Sequence, residues 1–342
     1  MARTLYIDST CFYGGAQESL CSLVKKRGAE EQQMLVAGCN ELNPNITIET
    51  HHYMPNLIGL WQLISDARRS RCKIKEAIVS FRPDTIFLNT MRSALFWICL
   101  RIRTNAKVIV NDRDVRCPML LPRMLEAFLH PMVLAVSRRV AFKWAFLPSD
   151  RLSVLPNIFD VDEIASVKPA VLPFKPGSLN VIMAADFTPW KNHVLLLRAM
   201  DIVRKKCPDA KCLLKGRVHT DKDAKYLIRL RRMLEKLGLQ ECVFINDNDE
   251  AALPYIGASD CLVSCSHLEP FGRIVVEALA MGKPVAATIY GADEELLADC
   301  PAISLAQETS ESLADAILHW RNPESRREAR LAALERAGRY KG

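Results

Sequence analysis

The sequence predicts an α/β protein with two doubly wound domains. Short apolar runs, typical of the buried strands of a parallel sheet, alternate with helical segments along the whole chain. A chain of 342 residues is long for one hydrophobic core and fits two domains of ordinary size. A proline-rich join at residues 165–178 interrupts the alternation, and few contacts should cross such a segment. We therefore expect domains at residues 1–168 and 169–322, followed by a C-terminal helix at residues 323–342.

The composition is that of a globular chain without a disulfide framework. Hydrophobic residues make up 49% of the chain and the mean hydropathy is +0.02. No run reaches the roughly 18 uninterrupted apolar residues that a transmembrane helix needs. The 12 cysteines include no C-x-x-C pair and several fall in predicted strands, which indicates reduced core thiols of a cytoplasmic protein. The first residues predict a strand instead of a signal peptide.

The positive charge of the chain lies mainly in its first half. Of the formal charge of +7, most comes from residues 1–165, where 21 Lys and Arg outnumber 16 Asp and Glu. This excess suggests an anionic surface or acceptor for that half. Leu57–Phe81 alternates apolar and basic residues at helical spacing. Such a helix can lie on the anionic inner face of the cytoplasmic membrane, or alternatively pack on the core with a solvated basic face. The basic segment Tyr226–Leu237 lacks interleaved aromatic residues, so we expect no nucleic-acid partner.

One stretch combines a strand, a loop and a helix in the way ligand sites do. Cys261–Cys265 is apolar and predicts a buried strand, Gly272 lies in a loop, and Arg273–Met281 consists of good helix formers. Val285–Thr288 predicts the next strand. Glu269 is therefore expected at the carboxyl edge of a strand, beside a helix N-terminus, where ligands dock in open α/β sheets.

The predicted helix offers an anion site and carries a carboxylate among apolar neighbours. The N–H groups near Gly272 and Arg273 would hold an anion, most simply a diphosphate. Glu277 lies between valines, alanine and leucine, and a buried carboxylate needs partners. A ribose diol would supply two donors. The alternative is an i,i+4 pair of Glu277 with Arg273 on a solvated face.

The same stretch resembles a known signature. Glu269-Pro-Phe-Gly272 through Glu277, followed by Ala278 to Val285, is similar to the E-x7-E motif of family 4 retaining glycosyltransferases of the GT-B type, also called group 1. The resemblance implies two Rossmann-like domains facing a cleft, with a C-terminal helix that crosses back to the first domain. It also implies that the first domain binds the acceptor and the second binds a nucleotide sugar.

The resemblance assigns roles to the residues of the motif. It implies that Glu277 binds the ribose and that Glu269 contacts sugar hydroxyls near the reacting carbon. The amides at Phe271 and Gly272, together with Lys191, would stabilise the departing diphosphate. Arg273 belongs to the same donor site. No dedicated nucleophile and no metal or other cofactor is implied.

The residues that would bind the diphosphate depart from the family pattern at one position. In G-R-L-x-P-x-K-G the arginine and lysine bind the diphosphate; Lys191 matches the lysine, but Asp186 stands in place of the arginine. Because an aspartate repels a diphosphate, we hypothesise that Arg217 or Lys215, after the next strand, supplies the missing charge. Glu295 keeps the spacing of a family glutamate near the sugar.

Three further residues complete the predicted donor site. Gly14 and Gly15 follow the first strand and precede a helix, and this loop resembles the family loop facing the diphosphate; the alternative is an ordinary tight turn. Asn246 ends a strand whose edge would flank the nucleotide base.

The first half lacks a histidine that family members carry near the sugar. Asn111 or Asp112 stands at that position, and we expect a polar residue facing the sugar there. Asp112 with Asp114 also matches the metal-binding D-x-D of other glycosyltransferases. That spacing recurs elsewhere in the chain, so it is unspecific.

Together with these residues, the resemblance implies a retaining hexosyltransferase. It would move a sugar from a nucleotide diphosphosugar to a hydroxyl of a glycan or lipid-linked acceptor, and the resemblance alone implies a role in bacterial surface polysaccharide or lipopolysaccharide synthesis. Two alternatives stay open. A GT-B epimerase would act on the nucleotide sugar without an acceptor, and a non-catalytic nucleotide-sugar-binding partner subunit would only hold it.

Overall fold

A computed structural model describes residues 1–28, 30–51, 57–175 and 178–342. The chain divides into two compact units, Met1–Phe159 with Gly342, and Asp160–Lys341. This division falls nine residues before the boundary at residue 168 that the proline-rich join predicts. Pro176 and Gly177 of that join lie outside the described residues.

The first unit is built on a parallel sheet of seven strands. The strands are β1 (Ala2–Asp8), β2 (Glu31–Ala37), β3 (Ile46–Thr47), β4 (Thr85–Leu88), β5 (Lys107–Asp112), β6 (Met132–Ala135) and β7 (Leu152–Val154), in the order β3-β2-β1-β4-β5-β6-β7. The helices are α1 (Gly15–Arg27), α2 (Leu57–Phe81), α3 (Met91–Leu100), α4 (Leu120–Leu129) and α5 (Arg138–Ala141). The order reverses at β1, which pairs on both sides, and its residues Leu5, Tyr6 and Ile7 are fully buried because a core cluster covers each face of the sheet.

Helices cover both faces of this sheet. Leu63, Ala67 and Ile74 of α2 join the larger core cluster, and Leu20 of α1 joins the smaller one on the other face. The predicted helix Leu57–Phe81 is present, and its apolar positions pack on the core as the second interpretation expects. Within the described residues no helix is long and apolar enough to cross a membrane.

The second unit repeats the architecture with six parallel strands. They are β8 (Asn180–Ala184), β9 (Lys211–Lys215), β10 (Val243–Asn246), β11 (Cys261–Ser264), β12 (Val285–Thr288) and β13 (Ile303–Ala306), in the order β10-β9-β8-β11-β12-β13. The helices are α6 (Val161–Ser166), α7 (His193–Lys206), α8 (Asp221–Lys236), α9 (Leu253–Ala258), α10 (Arg273–Ala280), α11 (Glu294–Leu297), α12 (Ser310–His319) and α13 (Pro323–Gly338). The C-terminal helix α13 packs on α10 within this unit; its return to the first domain stays a prediction.

The strand order of the second unit creates a switch point at β8. Because β8 lies between β9 and β11, the loops that follow these three strands meet at one edge of the sheet. The first two loops are in close contact, since a Cβ at Gly216 would lie 2.1 Å from the oxygen of Ala185. The amide of Phe187 also donates to the oxygen of Arg217 at 3.0 Å. Only glycine permits this approach, and it brings the charged residues of the two loops together.

Candidate active site

The switch point holds an ion pair between the two residues predicted to be catalytic in this unit. The Nζ of Lys191 lies 2.7 Å from Oε2 of Glu269. The side chains are 18% and 15% exposed, so the pair is confined but reachable from solvent. Lys191 ends a 3-10 turn after β8, and Glu269 lies in the loop after β11. The fold thus brings together two residues that are 78 positions apart in sequence.

Backbone contacts fix the loop that carries Glu269. The amide of His267 donates to the oxygen of Trp190 at 2.8 Å, and the amide of Glu269 donates to the oxygen of Tyr290 at 2.9 Å. Leu268 between them has φ +106°, a conformation that leucine rarely adopts. Such local strain costs on the order of 1–3 kcal/mol and concentrates at functional sites.

The N-terminus of α10 lies directly after this loop. Gly272 is the N-cap residue with φ +101°, and a Cβ there would lie 2.5 Å from the Cβ of Ala292. The amide of Asp293 donates to the oxygen of Phe271 at 2.7 Å, which holds the two loops together. A helix N-terminus presents first-turn N–H groups and a partial positive charge. The predicted donor residues Phe271, Gly272 and Arg273 therefore lie at a helix start of the kind that can bind an anion, and their role with a donor stays a prediction.

Glu277 forms the local pair that the sequence offered as an alternative to ribose binding. Its Oε1 accepts from NH2 of Arg273 at 3.2 Å, one helical turn away. Both side chains are mostly buried, which differs from the solvated face that this alternative assumed. A confined ion pair of this kind can exchange partners with a ligand, so the ribose role of Glu277 stays a prediction.

Asp186 has cationic neighbours that offset its charge. Its two oxygens lie 3.5 Å from Nε of Arg217 and 3.2 Å from Nε2 of His219. Burial opposes ionisation of Asp186, but the hydrogen bond from His219, with the charges of His219, Arg217 and Lys191, holds its pKa below the usual range. The same hydrogen bond raises the pKa of His219 against the effect of burial. Sequence reasoning missed His219, although it lies only two residues after Arg217.

Of the two residues proposed to replace the family arginine, these contacts favour Arg217 over Lys215. Lys215 is buried, and its Nζ donates to the oxygen of Asn248 at 2.6 Å. Burial lowers the pKa of Lys215. Lys215 thereby holds the loop after β10, where Oδ1 of Asn246 accepts from the amide of Asn248 at 3.2 Å. The charge next to Asp186 is that of Arg217.

Glu295 lies on α11 at the same sheet edge and is exposed. Its backbone oxygen belongs to a group of four carbonyls, from residues 295, 296, 298 and 299, that accept from the guanidinium of Arg336 at 2.6–3.2 Å. Arg336 is buried in α13 and caps α11. The ring of Tyr340 contacts that of Phe271 at a centroid distance of 5.4 Å. The C-terminal segment thus supports the site loops, a role that the sequence did not reveal.

In the first unit, the glycine loop is held by a buried polar network. The amide of Gly14 donates to Oε1 of Gln17 at 3.1 Å, and Nε2 of Gln17 donates to Oδ2 of Asp8 at 3.0 Å. Gly15 is the first residue of α1. These contacts define the strand–glycine loop–helix unit that the sequence predicts. They do not test whether it binds a ligand.

Asp112 is enclosed by donors in the first unit. Its oxygens lie 2.9 Å from Nζ of Lys143 and accept from Nε1 of Trp144 at 2.6 Å and from the amide of Asp114 at 3.0 Å. The side chain is completely buried. These donors account for the whole carboxylate, and the ammonium of Lys143 takes the place that a cation would need. The geometry therefore favours a structural role for Asp112 over the predicted contact with the sugar or a metal.

Comparison with known proteins identifies the second unit. Residues 167–336 match the family model described as "Glycosyl transferases group 1". The second unit is a group 1 glycosyltransferase domain. An uncharacterised glycosyltransferase of Methanocaldococcus jannaschii is 25% identical over 164 residues, which are 46% of this chain and 38% of that protein. Mannosylfructose-phosphate synthase of Agrobacterium fabrum is 32% identical over 108 residues, which are 30% of this chain and 23% of that enzyme. The matches span less than two-fifths of the length of these curated relatives.

Solved glycosyltransferase structures share the fold of this chain over its full length. Anabaena HepE, solved with UDP and glucose, has a TM-score of 0.78 at 17% identity, covering 100% of this chain and 96% of HepE. Sucrose-phosphate synthase of Thermosynechococcus elongatus has a TM-score of 0.78 at 16% identity, covering 99% and 94%. At this identity the likeness shows the fold alone. The predicted class, GT-B with two Rossmann-like α/β domains, is confirmed.

Proposed function

We propose that the chain transfers a sugar from a nucleotide diphosphosugar to an acceptor hydroxyl with retention, as family 4 enzymes do. The observation that carries the proposal is the Lys191–Glu269 pair beside the N-terminus of α10. Because the two charged atoms lie 2.7 Å apart, a diphosphate that contacts Lys191 has its sugar next to the carboxylate of Glu269. A leaving group and a sugar are thereby held at adjacent points of one site.

The transfer follows from the charges of this site. The bond between the anomeric carbon and the phosphate oxygen breaks, and negative charge grows on the diphosphate. The ammonium of Lys191 and the first-turn amides of α10 stabilise that charge. The acceptor oxygen bonds to the anomeric carbon on the face that the diphosphate leaves, and its proton passes to a phosphate oxygen. Glu269 orients the sugar hydroxyls during this exchange.

Arg217 supplies the positive charge that is lost because Asp186 stands in place of the family arginine. Asp186 lies within 3.5 Å of Arg217 and holds this side chain at the edge of the site. The negative charge is offset by Arg217 and by His219, and Lys191 remains beside α10. The proposal therefore assigns the diphosphate to Lys191, Arg217 and α10, and the ribose to Glu277.

We infer a UDP-sugar as the first donor to test, because HepE binds UDP and glucose with the same fold. For the acceptor we propose a glycan or a lipid-linked sugar of surface polysaccharide or lipopolysaccharide synthesis. The excess of basic residues in the first half suits an anionic acceptor of this kind.

The test combines binding and turnover. A thermal-shift series with UDP, GDP, ADP and their common sugars identifies the nucleotide, because a ligand that binds only the native state raises the melting temperature. We expect a shift with one nucleotide that is lost in Glu277→Ala. Release of the nucleoside diphosphate should require an acceptor, and NMR of the product should show the donor's anomeric configuration.

Other outcomes would replace the proposal. Interconversion of the nucleotide sugar without an acceptor would identify an epimerase. Binding without turnover under any acceptor would identify a partner subunit. An inverted product would contradict retention while leaving transfer intact.

A further inference from the structure

Helix α4 of the first unit exposes an apolar stripe to solvent. Leu120, Met124 and Phe128 are spaced at i, i+4 and i+8 and lie on one side of the helix. Leu120 is 78% exposed and Phe128 is 67% exposed, whereas Leu125, about 100° around the helix from Met124, is fully buried. Contiguous large apolar side chains on a surface mark an interaction site.

A second element extends this stripe. Phe146, after α5, is also exposed, and the guanidinium of Arg123 lies 4.7 Å from the centre of its ring. Arg123 is on α4, so this cation–π contact joins Phe146 to the helix. Met119, just before α4, is exposed as well. We refer to Met119, Leu120, Met124, Phe128 and Phe146 as the α4 face.

The surroundings of the α4 face are positively charged. Residues 112–146 contain six Lys and Arg against three Asp and Glu, and one of each, Lys143 and Asp112, forms a buried pair. Arg116, Arg123 and Arg138 are exposed. The single acid of α4, Glu126, is bound by Arg151 at 2.8 Å, so its charge is compensated. An apolar stripe that carries Arg123, with exposed Arg116 and Arg138 near it in the sequence, is complementary to a surface with anionic headgroups above hydrocarbon.

We propose that the α4 face docks on an anionic lipid bilayer. Each arginine near such a surface is attracted to the anionic headgroups, and the apolar side chains add the burial of their own surface. A second protein would also cover an apolar face, but it would not by itself require the surrounding positive charge. The proposal holds whether or not the chain transfers a sugar.

The structure favours α4 over the helix that the sequence pointed to. In α2 the apolar positions Leu63, Ala67 and Ile74 are in the core, and its exposed large apolar residues lie in the first turns, apart from Val79 near its end. Ile58 and Trp61, in those first turns, are 68% and 67% exposed, which nearly matches Leu120 and Phe128. They therefore provide a control pair of similar exposure on another helix.

The test is co-sedimentation of the full chain with vesicles of phosphatidylcholine alone or with roughly a third phosphatidylglycerol. We expect at least tenfold tighter binding to the anionic vesicles, weakened by salt. The double variant Leu120→Ser/Phe128→Ser should lose about tenfold in binding, and Ile58→Ser/Trp61→Ser should bind as the wild type. Arg116→Gln/Arg123→Gln should reduce binding to anionic vesicles only.

Four results would overturn the proposal. The wild type could bind neither kind of vesicle, or the Leu120→Ser/Phe128→Ser variant could bind as tightly as the wild type. The Ile58→Ser/Trp61→Ser variant could also be the one that loses binding, in place of the α4 variant. A change in oligomeric state of the α4 variant, seen by light scattering without an effect on vesicles, would assign the face to a second copy and also contradict it. Melting temperature and nucleotide-induced shift, measured for each variant, separate misfolding and donor-site failure from loss of membrane binding.

Discussion

Each unit places a carboxylate–lysine pair at the carboxyl edge of its sheet, and the two pairs differ in their surroundings. Asp112 and Lys143 in the first unit are 0% and 6% exposed, and Trp144 and a backbone amide bind the remaining positions of the carboxylate. Glu269 and Lys191 in the second unit are 15% and 18% exposed and lie next to a helix N-terminus. The contact distances are nearly the same, at 2.9 and 2.7 Å.

The difference shows how burial decides the use of one chemical pair. A fully enclosed ion pair has no room for a ligand, and removing one partner leaves an uncompensated charge. A partly open pair can let each partner contact a substrate. We therefore assign the first pair to stability and the second to function, and the following variants test that assignment.

The largest effect is expected from breaking the enclosed pair. Asp112→Asn leaves the ammonium of Lys143 buried without a counter-charge, so the free energy of unfolding should fall by about 3–5 kcal/mol. Urea denaturation measures this loss. The double variant Asp112→Asn/Lys143→Met removes both charges and should recover part of the stability. If Asp112→Asn kept its stability but lost transfer activity, Asp112 would contact the substrate as the sequence predicted.

The open pair should respond in the opposite way. Glu269→Gln keeps the shape of the side chain and removes its charge, and Lys191 can be solvated. We expect kcat to fall about 100-fold, equal to about 2.7 kcal/mol, while the free energy of unfolding changes by less than about 1 kcal/mol. Steady-state kinetics and urea denaturation of the same preparation give both values. A stability loss as large as that of Asp112→Asn would remove the distinction between the two pairs.

The cation beside the open pair should have a smaller effect, limited to donor binding. Arg217→Gln removes a charge that we assign to the diphosphate, so KM for the donor should rise about tenfold, equal to about 1.4 kcal/mol. Arg231→Gln is the matched control, because Arg231 pairs with Asp247 at 3.2 Å on the surface of the same unit. An unchanged KM in Arg217→Gln would leave the diphosphate to Lys191 and α10 alone.

The elements around the open pair could be predicted from sequence because their signals are local. An apolar run predicted the strand from Cys261, the helix formers between Gly272 and Gly282 predicted the helix from Arg273, and a second apolar run predicted the strand Val285–Thr288. The structure has all three elements there. Glu269 and Lys191 follow two such strands. The resemblance to glycosyltransferases placed both in one site, which the strand order then explains.

The enclosed pair and the supporting residues could not be predicted in the same way. Asp112 and Lys143 are 31 positions apart, and a D-x-D spacing is identical whether the carboxylate is buried or open. Arg336 caps a helix about 40 positions before it. His219 contacts Asp186 because Gly216 allows two loops to approach. Such contacts depend on packing between elements, which local patterns do not encode.

The smallest effect concerns the protonation of the open site. Because the hydrogen bond to Asp186 raises the pKa of His219, its imidazolium persists above the ordinary value of about 6.5. The stability from this contact is fully present below about pH 6.5 and is lost as pH rises through the raised pKa. When His219 loses its charge, the negative charge of Asp186 is less well compensated, so the affinity for the donor diphosphate should fall several-fold.

This fall in affinity can be measured by calorimetric titration from pH 6 to pH 9 with the identified nucleotide sugar, because its diphosphate does not titrate in this range. His219→Gln should bind more weakly at pH 6 and lose most of the pH dependence; an unchanged profile would show that Arg217 alone compensates Asp186.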